Sequence, residues 1–290
     1  MLKHITNFIY VTRLNKPIGF LLLFWPCSWG LSLALYFNKN FNIFFYYLFL
    51  FFLGSVLMRS AGCIVNDIVD EKIDRKVERT KSRPIASGKL NKSLAWIYVL
   101  ILCALAFLVL IQFNFLTISL GAFSMLFAFS YPLMKRFTYW PQLFLGFTFN
   151  YGLIMAWFSI KPEFSYIPII FYCGAIFWTL AYDTIYGFQD IKDDEIIGVK
   201  STSIKFKKNP KLLIFLCYLI FILMQILSGI LMEFDYYYFI GALIIAVHLY
   251  FFQVMKLDIS NPKSCLKSFK SNNILGFLVF TNILINKINL

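Results

Sequence analysis

Acidic side chains are concentrated in two short stretches of this chain, and their spacing could bind cations. Ten of the 14 Asp and Glu residues lie there. The first acidic stretch contains Asp67, Asp70, Glu71, Asp74 and Glu78, and the second contains Asp183, Asp190, Asp193, Asp194 and Glu195. If these stretches continue helices, carboxylates four residues apart lie on one side and repel each other. We therefore expect cations between the two stretches.

The available ligand types favour a hard divalent cation. Only two histidines are present, and the six cysteines include no Cys-x-x-Cys pair, so a His- or Cys-based metal centre is not expected. Carboxylate oxygens suit Mg²⁺ or Ca²⁺, and Mg²⁺ commonly leaves positions for substrate phosphates and water. Basic residues follow the first stretch directly, namely Lys72, Arg75, Lys76, Arg79, Lys81, Arg83 and Lys89. Acids, bases and a divalent ion together predict a diphosphate-binding site.

A simpler interpretation of either stretch alone is a solvated loop in which acids and bases form i,i+4 ion pairs. Two observations favour the diphosphate site. Each stretch contains an acid pair four residues apart, Asp70 with Asp74 and Asp190 with Asp194. Each stretch also follows an apolar segment, with four predicted spans between the two acid pairs, which suggests two related halves of the chain.

Arg59 is a separate charged residue within an apolar segment. It precedes Asn66 by seven residues, so on one helix it lies about 10 Å deeper. A charge at that depth costs a few kcal/mol and normally faces a cavity or an anionic partner. Arg59 therefore either extends to the interface, pairs with an Asp of the first stretch, or serves as counter-ion to a buried anionic substrate such as a carboxylate.

Membrane-spanning helices are the elements that must position these residues. The chain has 290 residues, is 60% hydrophobic and has a mean hydropathy of +0.73. Apolar runs of about 17–25 residues recur along it, long enough to cross a bilayer. They predict an all-α, polytopic membrane protein with nine transmembrane helices in two four-helix halves around a central cavity. The predicted spans are 18–37, 41–64, 94–113, 115–131, 143–160, 166–186, 212–232, 236–255 and 274–288.

Positive charge predicts the orientation of this bundle. Most Lys and Arg residues lie at the N-terminus and in the second, fourth, sixth and eighth connections, which the positive-inside rule places in the cytoplasm. The first span is long and has no clear cleavage site, so we expect a retained anchor. The whole of 1–290 forms one integral-membrane domain, with 66–92 and 183–211 as cytoplasmic caps. The net charge of +13 reflects topology and attraction to anionic lipid rather than nucleic-acid binding.

Four segments resemble the UbiA superfamily of intramembrane prenyltransferases, and most closely its 4-hydroxybenzoate polyprenyltransferase branch, which acts in ubiquinone biosynthesis. They are LNKPIGFLLLFWP (14–26), MRSAGCIVNDIVDEKIDRKVERTKSRPIASG (58–88), YPLMKRFTYWPQ (131–142) and AYDTIYGFQDIKDDEIIGVKST (181–202). The resemblance covers nearly the whole chain. One departure is Gly187, where the family pattern has Ala after the tyrosine.

The resemblance implies roles for individual residues. Asp70 and Asp74 would bind one Mg²⁺, Asp190 and Asp194 a second, and Asp67, Asp183 and Asp193 would support them. Arg136 would contact the diphosphate, and Arg59 the carboxylate of an acceptor that lies near Asn66. Further substrate-binding residues would be Lys135, Arg79, Arg83, Tyr186 and Lys200.

These roles describe a Mg²⁺-dependent transfer of a polyprenyl group from its diphosphate to carbon 3 of 4-hydroxybenzoate. The expected location is a bacterial-type inner membrane, with no obligate protein partner and no nucleic acid. The alternatives are another aromatic acceptor of the superfamily (a dihydroxynaphthoate, a haem precursor or a chlorophyll precursor) and a divalent-cation transporter. Transport sites normally lie near the bilayer midplane, whereas both acidic stretches here lie at span ends.

Overall fold

The computed structural model describes residues 2–38 and 40–288, and every regular element in this part of the chain is helical. The elements are α1 (Leu2–Thr12), α2 (Ile18–Asn38), α3 (Phe41–Val69), α4 (Glu71–Asp74), α5 (Lys92–Leu110), α6 (Phe115–Phe137), α7 (Pro141–Ile160), α8 (Tyr166–Gly187), α9 (Ile191–Ile197), α10 (Thr202–Lys205), α11 (Pro210–Leu231), α12 (Tyr236–His248) and α13 (Pro262–Ile288). A 3₁₀ turn at Phe188–Asp190 joins α8 to α9, and a π-helical segment, Leu249–Met255, continues α12.

Local sequence signals start several of these helices. Asn40, Asn91 and Asn114 lie one residue before α3, α5 and α6, respectively. The side-chain oxygen of each accepts a hydrogen bond from the backbone N–H three residues later in the chain. Such caps satisfy amide groups that have no partner within the helix. Proline begins α7 and α11, where its missing N–H costs nothing. Long apolar helices therefore begin where polar capping residues interrupt the hydrophobic pattern.

Within the described residues, eight helices have the length and apolar composition needed to span a membrane. They correspond to the first eight predicted spans. The ninth prediction, 274–288, lies in α13, which begins at Pro262 and is more polar than the others. Tryptophans of neighbouring helices satisfy some of its polar groups, because Trp25 donates to Asn273 at 2.8 Å and Trp178 donates to Asn272 at 2.8 Å. The membrane-protein class and the all-helical fold are therefore confirmed.

Packing of aromatic residues forms the main core between α2, α7, α8, α11 and α13. Trp29 and Trp178 are fully buried, with ring centroids 4.9 Å apart, and Phe221 lies 6.0 Å from each. Gly30 allows α2 to approach α7 closely, because a Cβ there would lie 2.2 Å from the carbonyl oxygen of Leu153. A cavity adjoins this core, and residues of α2, α3, α5, α6, α7, α8 and α13 line it.

Both acidic stretches lie at the same end of the bundle, here called the charged end. Neither continues its helix without interruption. The helix α3 ends at Val69, Asp70 has φ −93° and ψ 3°, and the single turn α4 carries Asp74. In the second stretch, Asp190 ends the 3₁₀ turn before α9. The predicted straight rows are therefore interrupted, although the backbone N–H of Asp74 still donates to the backbone oxygen of Asp70 at 2.8 Å.

Candidate active site

A cavity of about 1620 Å³ opens at the charged end and extends into the apolar interior. Near its mouth it is lined by polar residues of α3, α8 and the loop after α4. Its deep part is lined by apolar residues of α3, α5, α6 and α7, including Leu50, Leu110, Phe113 and Met155. Leu50 and Asp67 both lie on α3, about 25 Å apart at 1.5 Å per residue. The cavity thus joins a charged mouth to a long hydrophobic channel.

The first acidic stretch turns its carboxylates inward. Asp67, Asp70 and Asp74 are only 1%, 1% and 5% exposed. Two arginines hold them: Arg13 donates twice to Asp67, at 2.7 and 2.8 Å, and Arg83 donates to Asp67 at 3.1 Å and to Asp74 at 2.8 Å. Since buried carboxylates need charged or hydrogen-bonding partners, these arginines compensate for the burial of the acids.

Residues of the loop after α4 connect the two acidic stretches. Arg79 donates from Nε to Asp190 at 2.6 Å, forms a second hydrogen bond to the same carboxylate, and donates to the Tyr186 hydroxyl at 2.9 Å. The backbone N–H of Glu78 donates to Asp193 at 3.3 Å. The two stretches therefore meet at one site, although they are far apart in the chain.

The end of α6 supplies further basic residues. Lys135 forms an ion pair with Asp70. Arg136 donates to the backbone oxygen of Val69, at the end of α3, at 3.1 Å. Lys200 donates to the backbone oxygen of Phe137 at 3.3 Å, so it fastens the segment after α9 to α6. The contacts of Lys135 and Arg136 thus hold the end of α6 against the first acidic stretch.

The electrostatic environment shifts the pKa of several groups at the charged end, including Asp70, Arg79 and Lys16. Burial raises the pKa of Asp70, and the Lys135 ammonium opposes this shift. Burial disfavours the charged form of Arg79, but its hydrogen bond to Asp190 raises the pKa above the usual arginine range. Partial burial, with Arg13, Arg79 and other cations nearby, lowers the pKa of Lys16. A lysine surrounded by cations indicates a place where an anion would be stabilised.

Arg59 lies deeper in the same cavity and differs from the arginines at the mouth. Its guanidinium carbon lies 5.1 Å from the centre of the Phe149 ring, and its Nε is buried without a hydrogen-bond partner. It forms no ion pair with any residue in the described ranges 2–38 and 40–288. Asp183 is within electrostatic range but does not form an ion pair with it. A half-buried cation that faces a cavity and forms no ion pair is suited to bind an anion from outside the protein.

The predicted site residues fall into two groups. Seven line the cavity, and they are Arg59, Asn66, Asp67, Arg79, Arg83, Asp183 and Tyr186. The other eight are outside the lining, and they are Asp70, Asp74, Lys135, Arg136, Asp190, Asp193, Asp194 and Lys200. Two of them form ion pairs with arginines that line the cavity, Asp74 with Arg83 and Asp190 with Arg79. Sequence reasoning did not assign a role to Arg13, Lys16 or Phe149, which also line the cavity. Arg13 could have been suspected, because it precedes the Leu-Asn-Lys-Pro segment that carried the family resemblance.

The acidic stretches fit a divalent cation whose coordination is completed by a substrate. Among the described residues, no group of three or more His, Cys, Asp and Glu side chains is arranged to hold a metal ion alone. However, Oδ1 of Asp70 is buried and has no hydrogen-bond partner, and the available ligands are carboxylate oxygens. A cation that uses one or two carboxylates and takes its remaining ligands from phosphate and water matches this arrangement.

Comparison with known proteins identifies the family that the chain resembles over most of its length. The model of the UbiA prenyltransferase family matches residues 23–280. A 4-hydroxybenzoate octaprenyltransferase from Psychromonas ingrahamii is 40% identical over 95% of this chain and 94% of its own length. The mitochondrial 4-hydroxybenzoate polyprenyltransferase of Homo sapiens is 39% identical over 97% of this chain and 75% of its own length.

Solved structures share the fold at lower sequence identity. A UbiA homologue from Aeropyrum pernix K1 superposes with a TM-score of 0.75 at 20% identity, covering 91% of this chain and 97% of its own. A UbiA homologue from Archaeoglobus fulgidus, bound to GPP and Mg²⁺, has a TM-score of 0.68 at 14% identity. The match covers 97% of this chain and 99% of the homologue. With a family match over most of the chain and relatives near 40% identity, this chain belongs to the UbiA prenyltransferase family.

Proposed function

We propose that this protein transfers a polyprenyl group from polyprenyl diphosphate to carbon 3 of 4-hydroxybenzoate and releases diphosphate. One observation carries the proposal: a single cavity joins a charged mouth, an unpaired, half-buried arginine and a long apolar channel. These three parts match a diphosphate, a carboxylate and an isoprenoid tail. The names of the relatives supply the identity of the acceptor.

The diphosphate would occupy the mouth of the cavity. Lys16 lies there among cations, and Arg79 and Arg83 line the same region. Asp70 and Asp74 with Asp190 and Asp194 would hold Mg²⁺, which when bound neutralises charge on the leaving diphosphate. Arginine suits this position because its planar group binds phosphate oxygens in pairs. The basic residues would thus stabilise negative charge that grows as the carbon–oxygen bond breaks.

The acceptor would lie deeper, with its carboxylate on Arg59. The allylic carbon–oxygen bond of the donor breaks, diphosphate leaves with the electron pair, and an allylic cation remains. Carbon 3 of the acceptor, activated by the neighbouring phenol oxygen, then forms the new carbon–carbon bond. The proton displaced from carbon 3 passes to a carboxylate or to water. Aromatic rings along the cavity, including Phe149 and Tyr186, can stabilise the allylic cation through cation–π contacts.

We further propose that the metal is Mg²⁺ and that the membrane is a bacterial-type inner membrane with the charged end in the cytoplasm. The distribution of Lys and Arg supports this orientation. The chain then acts as one membrane domain that takes a lipid donor from the bilayer and a water-soluble acceptor from the cytoplasm. The product, a 3-polyprenyl-4-hydroxybenzoate, would serve ubiquinone biosynthesis.

A direct assay tests the proposal. Membranes containing the protein are incubated with 4-hydroxybenzoate, a series of polyprenyl diphosphates and Mg²⁺, and the products are identified by mass spectrometry. We expect a Mg²⁺-dependent 3-polyprenyl product. Parallel incubation with a dihydroxynaphthoate tests the alternative acceptor, and transfer only to that acceptor would reject the proposal. Mg²⁺ flux into vesicles without any lipid substrate would instead support a transporter.

A further inference from the structure

A glycine, Gly62, lies less than one turn from Arg59 on α3 and lines the same cavity. Gly62 is exposed to the cavity within the long helix α3. Glycine inside a helix is destabilising relative to alanine, so its presence there needs a reason. The common reasons are a left-handed backbone, close packing against another element, or close approach of a ligand.

The first two reasons do not apply to Gly62. The glycines with positive φ in the described chain are Gly88 and Gly198. A Cβ built at Gly62 would meet no described atom within 4 Å. Gly152 in the same cavity differs, because a Cβ there would meet Sγ of Cys27, so packing explains that glycine. Gly54 is nearly as open as Gly62, but it has no charged or amide side chain one turn away on either side. Gly62 therefore lies beside open space in the cavity, and no close packing against another helix requires a glycine there.

The open space lies between two polar side chains on one face of α3. Arg59, Gly62 and Asn66 are three and four residues apart, so they follow each other along one side of the helix. The distance from Arg59 to Asn66 along the axis is about 10 Å, room for one benzene ring with a group at each end. All three residues line the cavity, and the Asn66 side chain forms no hydrogen bond to any described residue.

We propose that Gly62 is a specificity-determining residue on which the ring of the aromatic acceptor lies. The inference rests on the proposed function and extends it to a carboxylate-bearing, single-ring acceptor. The acceptor carboxylate binds Arg59, the ring lies flat over the exposed backbone of Gly62, and the phenol end extends toward Asn66 and the charged end. This places carbon 3 on the side of the ring nearest the diphosphate. Any side chain at position 62 occupies the volume of the ring.

The test compares Gly62→Ala and Gly62→Leu with Gly54→Leu. Gly54 lies on the same helix and also lines the cavity, about 12 Å deeper, where a built Cβ would meet only Val109, at 4.0 Å. We measure KM for 4-hydroxybenzoate and for the polyprenyl diphosphate separately, and the binding of radiolabelled 4-hydroxybenzoate to the purified protein. Thermal unfolding in detergent checks that each variant is folded.

Gly62→Leu should raise the acceptor KM by about tenfold or more, as expected when extra side-chain volume enters a filled site, and should leave the donor KM within about twofold. Gly62→Ala should raise the acceptor KM by about threefold, and Gly54→Leu should affect only the donor. If Gly62→Leu does not fold, the acceptor KM of Gly62→Ala decides the question, because the structure has free space for the added methyl group.

An unchanged acceptor KM in a folded Gly62 variant would overturn the inference. An equal rise in the donor KM and the acceptor KM would also overturn it. In that case the wild-type activity still stands, so the proposed function survives. If the wild-type protein transfers prenyl groups to another aromatic carboxylate, the KM of each variant relative to wild type is measured with that acceptor. If the wild-type protein neither binds nor prenylates any aromatic carboxylate, the proposed function and the inference are both wrong.

Discussion

Replacing Arg59 with methionine should stabilise the protein while weakening acceptor binding. Methionine keeps an unbranched side chain but removes the charge. A charge at the centre of a membrane helix costs about 2.5–3.5 kcal/mol, and stacking on Phe149 offsets about 0.5–2 kcal/mol of that. Because Arg59 forms no ion pair among the described residues, Arg59→Met should raise the unfolding free energy by about 0.5–3 kcal/mol.

The effect on the acceptor should have the opposite sign. A hydrogen bond to a charged group contributes about 1.5–3 kcal/mol, which corresponds to a rise of about 10–150-fold in the acceptor KM. The donor KM should change little, because Arg59 lies about 10 Å below the turn that carries Asn66. Kinetics with each substrate varied in turn, together with thermal unfolding in detergent, provide both measurements.

Arg13→Met is the matched control, because Arg13 is paired where Arg59 is not. Its loss leaves Asp67, whose side chain is only 2% exposed, with Arg83 as its remaining arginine partner. Removing one member of a buried ion pair costs about 3–5 kcal/mol, so Arg13→Met should destabilise the protein. Two results would show that Arg59 is not an unpaired cation that binds the acceptor. One is that Arg59→Met destabilises the protein as much as Arg13→Met does, and the other is that Arg59→Met leaves the acceptor KM unchanged.

Three further predictions address the metal and the channel. Asp70→Asn and Asp190→Asn should each reduce prenyl transfer by about 10²-fold or more without loss of the folded protein; near-normal rates in both would contradict the metal assignment. A chelator should abolish product formation, and added Mg²⁺ should restore it, as followed by mass spectrometry. Gly121→Leu should exclude the longest donors, because even a Cβ there would lie 2.7 Å from Leu110 and 3.1 Å from Met155 in the deep channel; an unchanged donor profile would argue against that path.

Much of the fold could be predicted from the sequence, because membrane helices depend on local composition. Apolar runs bounded by capping residues such as Asn91 and Asn114 mark where α5 and α6 begin. The meeting of the two acidic stretches was also predicted, and the contacts of Arg79 with Asp190 and of Glu78 with Asp193 agree with it. That prediction came from the equivalent positions of the two acidic stretches, each directly after an apolar segment, which is information that a single motif does not contain.

The pairing of individual charges could not be predicted in the same way. Arg13 contacts Asp67, and Lys135 contacts Asp70, across chain separations that no periodicity encodes. The interruption at Asp70 has the same origin, since a helical pattern does not reveal that a carboxylate is drawn toward a lysine on another helix. Gly62 was part of a recognised motif, but its open surroundings depend on how α3 packs against its neighbours.

The distribution of paired and unpaired cations explains why one cavity can accept two different anions. Arg13, Arg79 and Arg83 at the mouth are already neutralised by aspartates, so an arriving diphosphate with its metal must exchange partners with existing ion pairs. Arg59 has no such pair to break. In the proposed function, a monovalent carboxylate, which brings no metal, would therefore bind more favourably at the deep arginine than at the mouth. The separation of paired from unpaired cations would thus direct the diphosphate and the carboxylate to different depths, with the ring of the acceptor between them.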